Sequence, residues 1–387
     1  LRRKIRWNRK AKCWEVGGHQ QVVELIKRPE IKANYLPSFL AHLPPGSVSR
    51  FQFLVDFFSR WPLFQDGPDQ HRTHKALARM FSASRVHALE PRVLAEVERA
   101  VGELAQRQES WDAVKDLAKP LPLRVIVIIL GFKLEDTEKL QRWADTVEEW
   151  FGGQGDVLER FENCQRVLKE YSDFADGFLR KVESQGEDCV ARDLLGAKDR
   201  GELHEAEVIP NLFFLMAAGH ETTSSLLSSS LFRILSNSSE LQSVRKSLAD
   251  QAKRIENEQI TEEFLRITSP VSRMYREVGE DFRYEGCRFR AGTSVQFLNF
   301  EANMDPAVFS DPEAFRPNRE NSKKHVSFGL HDHLCPGYRL GVLTARAVFE
   351  KLFSKIPELR LAVSENQVKR QELDSISTLV SLPVLNH

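Results

Sequence analysis

Apolar residues recur at three- and four-residue intervals through most of the chain, the period of a helix with one buried face. The spacing predicts helices over residues 70–107, 137–151, 157–183, 205–235, 239–254 and 261–267, each with a polar face and few breakers. Two places depart from this period and alternate instead. Residues 4–16, KIRWNRKAKCWEV, break at Asn8 to Lys10 and read as a hairpin ahead of a helix over His19 to Lys27. The stretch CRFRAGTSVQFL, residues 287–298, reads as a second hairpin turning at Ala291 and Gly292. The expected fold class is mainly α with a minor β-sheet region, drawn from about 1–50 plus 287–300. With no internal repeat, low-complexity tract or proline-rich linker, residues 1–387 read as a single domain.

Composition narrows the classes. A 387-residue chain with 41% hydrophobic residues has ample material for the core of one large enzyme domain. Lys plus Arg and Asp plus Glu both total 55, so net charge gives no reason to expect nucleic acid or an anionic membrane as partner. The five cysteines, at 13, 164, 189, 287 and 335, are odd in number and form no CxxC pair. They argue against a disulfide framework or structural zinc site and for a reducing, cytoplasmic setting. The longest apolar runs, Leu123 to Phe132 and Leu212 to Ala218, are well short of the roughly 20 residues that span a bilayer, so no membrane span is expected. The opening LRRKIRW is basic but lacks the apolar stretch of a signal peptide.

Four stretches carry candidate chemistry. In VSFGLHDHLCPGYRLG, residues 326–341, Cys335 lies between Gly329 and Gly337 just ahead of a helical pattern. Backbone N–H groups and the helix dipole favour negative sulfur at such a place. A buried inert thiol and a zinc site using His331, His333 and Cys335 are the alternatives. In FFLMAAGHETTSSLL, residues 213–227, Ala218 and Gly219 remove bulk from a helix that also carries Glu221, Thr222 and Thr223. This pattern makes either a groove in which a flat cofactor or a diatomic ligand can lie beside a proton donor, or a helix whose Ser, Thr and Glu are satisfied on a solvent face. In TEEFLRITSP, residues 261–270, Glu263 and Arg266 share a helical face, as do Glu262 and Arg266. In DGPDQHRTHKALARMF, residues 66–81, His71 and Lys75 lie one turn apart and can clamp an anion.

Taken in order, AGHETT (218–223), EFLR (263–266) and FGLHDHLCPG (328–337) resemble the oxygen-binding helix, the ExxR motif and the cysteine-ligand loop of the cytochrome P450 family, in particular its soluble bacterial members. The resemblance extends from about Trp61 to Pro383 and takes in SRMYREVGED, NFEANMDPAVFSDPEAF and SLPV. It implies a single catalytic domain with haem between a distal oxygen-binding helix and a proximal cysteine loop. It further implies heme b, iron protoporphyrin IX, with Cys335 as axial thiolate and metal ligand, and Ala218, Gly219, Phe328, Gly329 and Gly337 against the cofactor. Glu221 and Thr222 map onto the acid and alcohol pair that relays protons, Thr223 being the weaker partner. His71, Lys75, Arg276 and His333 map onto the haem propionate site. The implied activity is a monooxygenase that uses dioxygen and outside electrons to hydroxylate or epoxidise a mainly apolar small organic substrate. A desaturase or oxidative coupling enzyme, a haem sensor or carrier without turnover, and a zinc hydrolase are the competing readings.

The chain departs from the family pattern at several positions. Ala314 stands where many members have the arginine that completes the Glu and Arg triad, leaving Arg316 or Arg319 as substitutes. Lys75 stands for an arginine, and His331 for a glycine at a place where left-handed backbone is costly. Pro336 has no N–H to offer the sulfur. Phe53, Phe57, Phe58, Trp61 and Phe64, some of them explained by core packing, can line a substrate pocket with Leu215, Met216, Val271, Met274 and Leu379, and Gly152, Gly153 and Gly155 mark either its lid or an ordinary loop. With no GxGxxG after a strand and no cluster-type cysteine spacing, electrons are expected from elsewhere, a separate ferredoxin or flavodoxin with its reductase being the hypothesised donor. Arg72, Arg79, Lys323, Lys324 and Arg339 are the expected docking patch.

Overall fold

The computed structural model describes residues 4–153, 155–236, 242–373 and 375–387. Its helices follow the apolar period, with informative shifts at their ends. The pattern over 70–107 is two helices, Gly67–Met80 and Ala83–Ala105, because the Ser82 hydroxyl accepts a hydrogen bond from the Arg85 N–H and caps the second. Helices Thr137–Gly152, Val157–Gln185 and Glu205–Ser236 match their predicted spans closely. The Asp156 carboxylate caps the second of these from 2.9 Å, after a turn in which Gly153 and Gly155 take positive φ. The start of the expected 239–254 helix lies outside the described residues, and Gln242–Ala249 is helical. The last predicted helix begins earlier, at Arg254, and stops at Thr268, where Ser269 turns left-handed.

The helix Glu205–Ser236 is the axis of the fold. It packs against Pro120–Leu130, Val190–Asp199, Arg254–Thr268 and Tyr338–Lys355, and is therefore buried on most sides. At Gly219 a β-carbon would lie 2.5 Å from Ile126 Cδ1, so this glycine sets the spacing between two helices. The main apolar core runs through these helices and Ala83–Ala105.

A second core lies under a five-stranded sheet ordered Ile5–Asn8, Cys13–Val16, Ser294–Phe297, Met274–Val278, Ile31–Lys32. The first two strands form the expected antiparallel hairpin, with Ile5 opposite Val16. The second expected hairpin is corrected by the structure. Gly292 does turn the chain, at φ +76, but the strands on either side enter different sheets. Cys287–Phe289 pairs backward with Phe282–Tyr284, while Ser294–Phe297 pairs in parallel with Cys13–Val16 and antiparallel with Met274–Val278. The short-range turn signal is real; the choice of partner is long-range and is set by burial of Val295 and Phe297 in the sheet core.

The cysteine loop contains a strained residue. His331 takes φ +53, and its imidazole is exposed, so nothing about the side chain offsets the left-handed backbone. His331→Gly is expected to raise stability by about 1 kcal/mol, net of the greater freedom of glycine in the unfolded chain. Thermal unfolding of the holoprotein reads this, and a fall in midpoint would contradict it.

Candidate active site

A cavity of about 380 Å³ is lined by residues from all four chemical stretches. Its walls include the Cys335 thiol, Ala218, Gly219 and Thr222 of the axial helix, and Arg276 and His333. The Cys335 N–H donates to the Phe328 carbonyl at 2.7 Å, and the Gly337 N–H points at the sulfur at the start of helix Tyr338–Lys355. Gly329, at φ +71, makes this fold possible: a β-carbon there would sit 2.8 Å from the His333 carbonyl oxygen. Enclosure pushes the Cys335 thiol up to about 11, with the Gly337 N–H working weakly against this. Left to itself this thiol stays protonated at neutral pH, whereas a metal cation against the sulfur reverses that balance.

The buried arginines of the cavity make no direct ion pair among the described residues; Asp66 acts on Arg276, and Glu15 on Arg273, only from a distance. Arg276 is 5% exposed, donates to the carbonyl of Tyr275 at 2.7 Å, and forms no ion pair among the described residues. Burial works against its charge, yet guanidinium stays protonated in proteins. Beside it, burial and then the charges of Arg276, His74 and His71 push His333 down to about 3. Arg273 also lines the cavity, and its buried Nε has no hydrogen-bond partner. Such a set fits a bound dianion.

Helix Gly67–Met80 corrects the expected clamp. His71 and Lys75 are exposed, His71 bonding Gly67 O at 2.6 Å and lying 3.2 Å from Asp332 at the surface. The inward stripe is Gln70, Thr73, His74 and Leu77, rotated by one residue, or about 100°, from the expected one. Gln70 donates to the Asp332 carbonyl, and His74 meets the Leu334 carbonyl at 2.7 Å while lining the cavity. The signal was available in the buried apolar spacing of Ala76, Leu77 and Met80, which sets the phase of this helix.

On the axial helix, Thr222 Oγ1 donates to the Ala218 carbonyl at 3.1 Å, and Thr223 repeats the bond to Gly219 at 3.0 Å. Both hydroxyls thus sit where the helical ladder is locally shared, and both threonines reach the cavity. Glu221, 8% exposed, does not line it; its charge acts on Glu148 of helix Thr137–Gly152.

The ExxR stretch is structural. Glu263 is fully buried and receives two hydrogen bonds from Arg266, both 2.8 Å, and two from Arg319 Nε, at 3.0 and 3.2 Å. Arg319, not the side chain of Arg316, thus completes the triad; Arg316 contributes its backbone N–H at 3.1 Å. Glu262 instead bonds His325 at 2.9 Å. Arg266 also reaches the carbonyls of Asn303 and Pro312, at 3.0 and 2.8 Å, and so pins the segment leading to the cysteine loop.

Two further expectations change. Phe57, Phe58, Trp61 and Phe64 are core, not cavity wall; Phe58 stacks on Trp150 at 4.6 Å and Phe64 on Phe151 at 6.1 Å. Phe53, Met216 and Leu379 also stay out of the wall, whereas Leu215, Val271 and Met274 line it together with Ile126, Phe214 and Ile376. The side chains of His331, His333 and Cys335 do not converge as a zinc site would require. All five cysteines are free, and no helix among the described residues is long and apolar enough to cross a membrane.

The family model described as Cytochrome P450 matches residues 46–378. Among curated relatives, the polyketide biosynthesis cytochrome P450 PksS of Bacillus subtilis (strain 168) is 29% identical over 332 residues, covering 85% of this chain and 78% of its own. The steroid C26-monooxygenase of Mycobacterium tuberculosis (strain CDC 1551 / Oshkosh) is 28% identical over 95% of this chain and 93% of its own. Among solved structures, P450BioI in complex with hexadec-9Z-enoic acid ligated acyl carrier protein superposes with a TM-score of 0.85 at 25% identity, covering 96% of this chain and 92% of that one.

Proposed function

Because the chain belongs to the cytochrome P450 family, whose members bind heme b through a cysteine thiolate, we propose that Cys335 is that thiolate and that this P450 monooxygenase hydroxylates or epoxidises a mainly apolar organic molecule. The observation that carries this reading is a single cavity lined by the Cys335 thiol, by Ala218, Gly219 and Thr222, and by Arg276 and Arg273, which make no ion pair among the described residues. Arg276, His333 and His74 are the proposed holders of the two propionates, with Arg273 beside them. Bound there, heme b supplies activation of dioxygen with electrons that arrive from outside the chain.

The protein's own work is to hold the sulfur, exclude water and deliver protons. Gly337 N–H stabilises negative sulfur, while Pro336 leaves it one hydrogen bond short. Ile126, Phe214, Leu215, Val271 and Ile376 make the wall apolar, which suits a substrate of the size and polarity named for the steroid and fatty-acyl relatives. Thr222 is the proposed proton-delivering alcohol, because its Oγ1 faces the cavity and can exchange its bond to Ala218 O for one to water. Glu221 is the proposed acid that recharges it.

Thr222→Ala tests this. With a surrogate redox partner, a larger share of the reducing equivalents is expected to appear as hydrogen peroxide, with the ferrous carbon monoxide spectrum unchanged. Unaltered coupling would remove Thr222 from the relay. A sensor without turnover consumes no reductant in either protein.

Ferredoxin or flavodoxin is the proposed electron donor. Arg72 is bound to Glu207 by two 2.7 Å bonds, Arg79 pairs with Glu202, and Lys323 lies 3.1 Å from Glu258. Lys324 and Arg339 are the exposed cations left to meet an acidic partner. Lys324→Glu with Arg339→Glu is expected to slow reduction at low salt, an effect that fades as ionic strength rises. Equal rates at low salt would place docking elsewhere.

A further inference from the structure

Helix Thr137–Gly152 and the axial helix Glu205–Ser236 hardly touch directly, yet they bring three potential metal ligands together. Asp145 and Glu148, three residues apart on one face, meet His220, and the ligand atoms of all three lie within 4.8 Å of one another. His220 is 1% exposed. Its Nδ1 is 3.2 Å from the Met216 carbonyl, which can only accept, so Nδ1 donates there and Nε2 is the ring atom turned toward the gap. That Nε2 is buried without a hydrogen-bond partner, and Glu148 Oε1 lies 3.5 Å away.

The gap is too long for a hydrogen bond to carry the contact, but it is the distance between two ligands of one tetrahedral ion. Metal–ligand bonds of about 2.0–2.1 Å separate neighbouring ligands by roughly 3.3–3.5 Å. The bond from Nδ1 to a backbone carbonyl is also the arrangement that fixes a metal-binding imidazole. Charge points the same way. Neither Asp145 nor Glu148 pairs with a lysine or arginine among the described residues; Asp145 accepts a 2.6 Å bond from Gln141, and Lys119 acts on Glu148 only from a distance. Glu221 adds a further negative charge beside Glu148.

We propose that Asp145, Glu148 and His220 bind a divalent transition-metal ion of the zinc class, which clamps helix Thr137–Gly152 to the axial helix. Glu148 and His220 are already at ligand spacing, and the exposed Asp145 side chain closes on the ion by rotation. Two carboxylates and one imidazole leave a position for water, and the ion neutralises the acidic cluster. None of the three ligands lines the Cys335 cavity, although Glu148 lies beside Glu221 of the proposed relay, and the metal-binding readout does not depend on the function proposed above.

The test is calorimetric titration of the chelator-treated holoprotein with zinc chloride, with the bound ion located by anomalous scattering at the zinc edge. One saturable equivalent per chain is expected, with density between Glu148 and His220. Glu148→Gln and the surface variant Asp145→Asn are each expected to weaken binding at least about tenfold while leaving the ferrous carbon monoxide spectrum intact. Absence of saturable binding would overturn the proposal. So would a saturable site whose affinity is the same in both variants, because the ion would then lie elsewhere. If Glu148→Gln fails to fold, Asp145→Asn decides alone.

Discussion

Glu263→Gln is expected to destabilise the protein by about 3–5 kcal/mol, the usual cost of leaving a buried charge unpaired. The substitution keeps the shape and removes one charge, but that charge faces two guanidinium groups, Arg266 at 0% and Arg319 at 7% exposure. Both arginines also hold backbone carbonyls: Arg266 those of Asn303 and Pro312, Arg319 that of Ser310 at 2.8 Å. Losing the carboxylate therefore loosens the segment that leads into the cysteine loop, and poor haem retention should accompany the lower melting point. Arg316→Ala is the control. Its side chain pairs with exposed Asp311 and contributes no more than about 1 kcal/mol, as surface ion pairs do. A Glu263→Gln protein that melts with the wild type would show that the triad does not lock this fold.

That triad also illustrates what a sequence can disclose. Glu263 and Arg266 are one helical turn apart, so their pairing follows from helix geometry alone. Arg319 is 56 residues from Glu263, and only the course of the chain around Phe309 to Arg319 decides between it and Arg316. The cysteine loop and the AGHETT helix were legible for the same local reason: their chemistry is concentrated within a few residues. The strand Ser294–Phe297 follows from its alternation but its partners do not, because turn residues reveal where a chain reverses and not which strand it then joins. At Gly67–Met80 a helix was expected correctly and its rotation was not. One residue of error exchanged inward His74 for outward His71 and Lys75. The aromatic run before it leaves pocket and core both open, because composition cannot distinguish a wall from a core; Trp150 and Phe151, far along the chain, cover Phe58 and Phe64.

The most direct measurement of the central claim is the ferrous carbon monoxide difference spectrum of the holoprotein beside that of Cys335→Ala. Cys335 is the one cysteine in the cavity; Cys13, Cys164 and Cys189 are buried in packing and Cys287 lies on the strand Cys287–Phe289. No other described thiol can replace it from where it stands. The thiolate-type band is therefore expected in the wild type and absent in Cys335→Ala, whatever haem the variant retains. A thiolate-type band that survives in Cys335→Ala would contradict the assignment, and with it the reading of this cavity as the monooxygenase site.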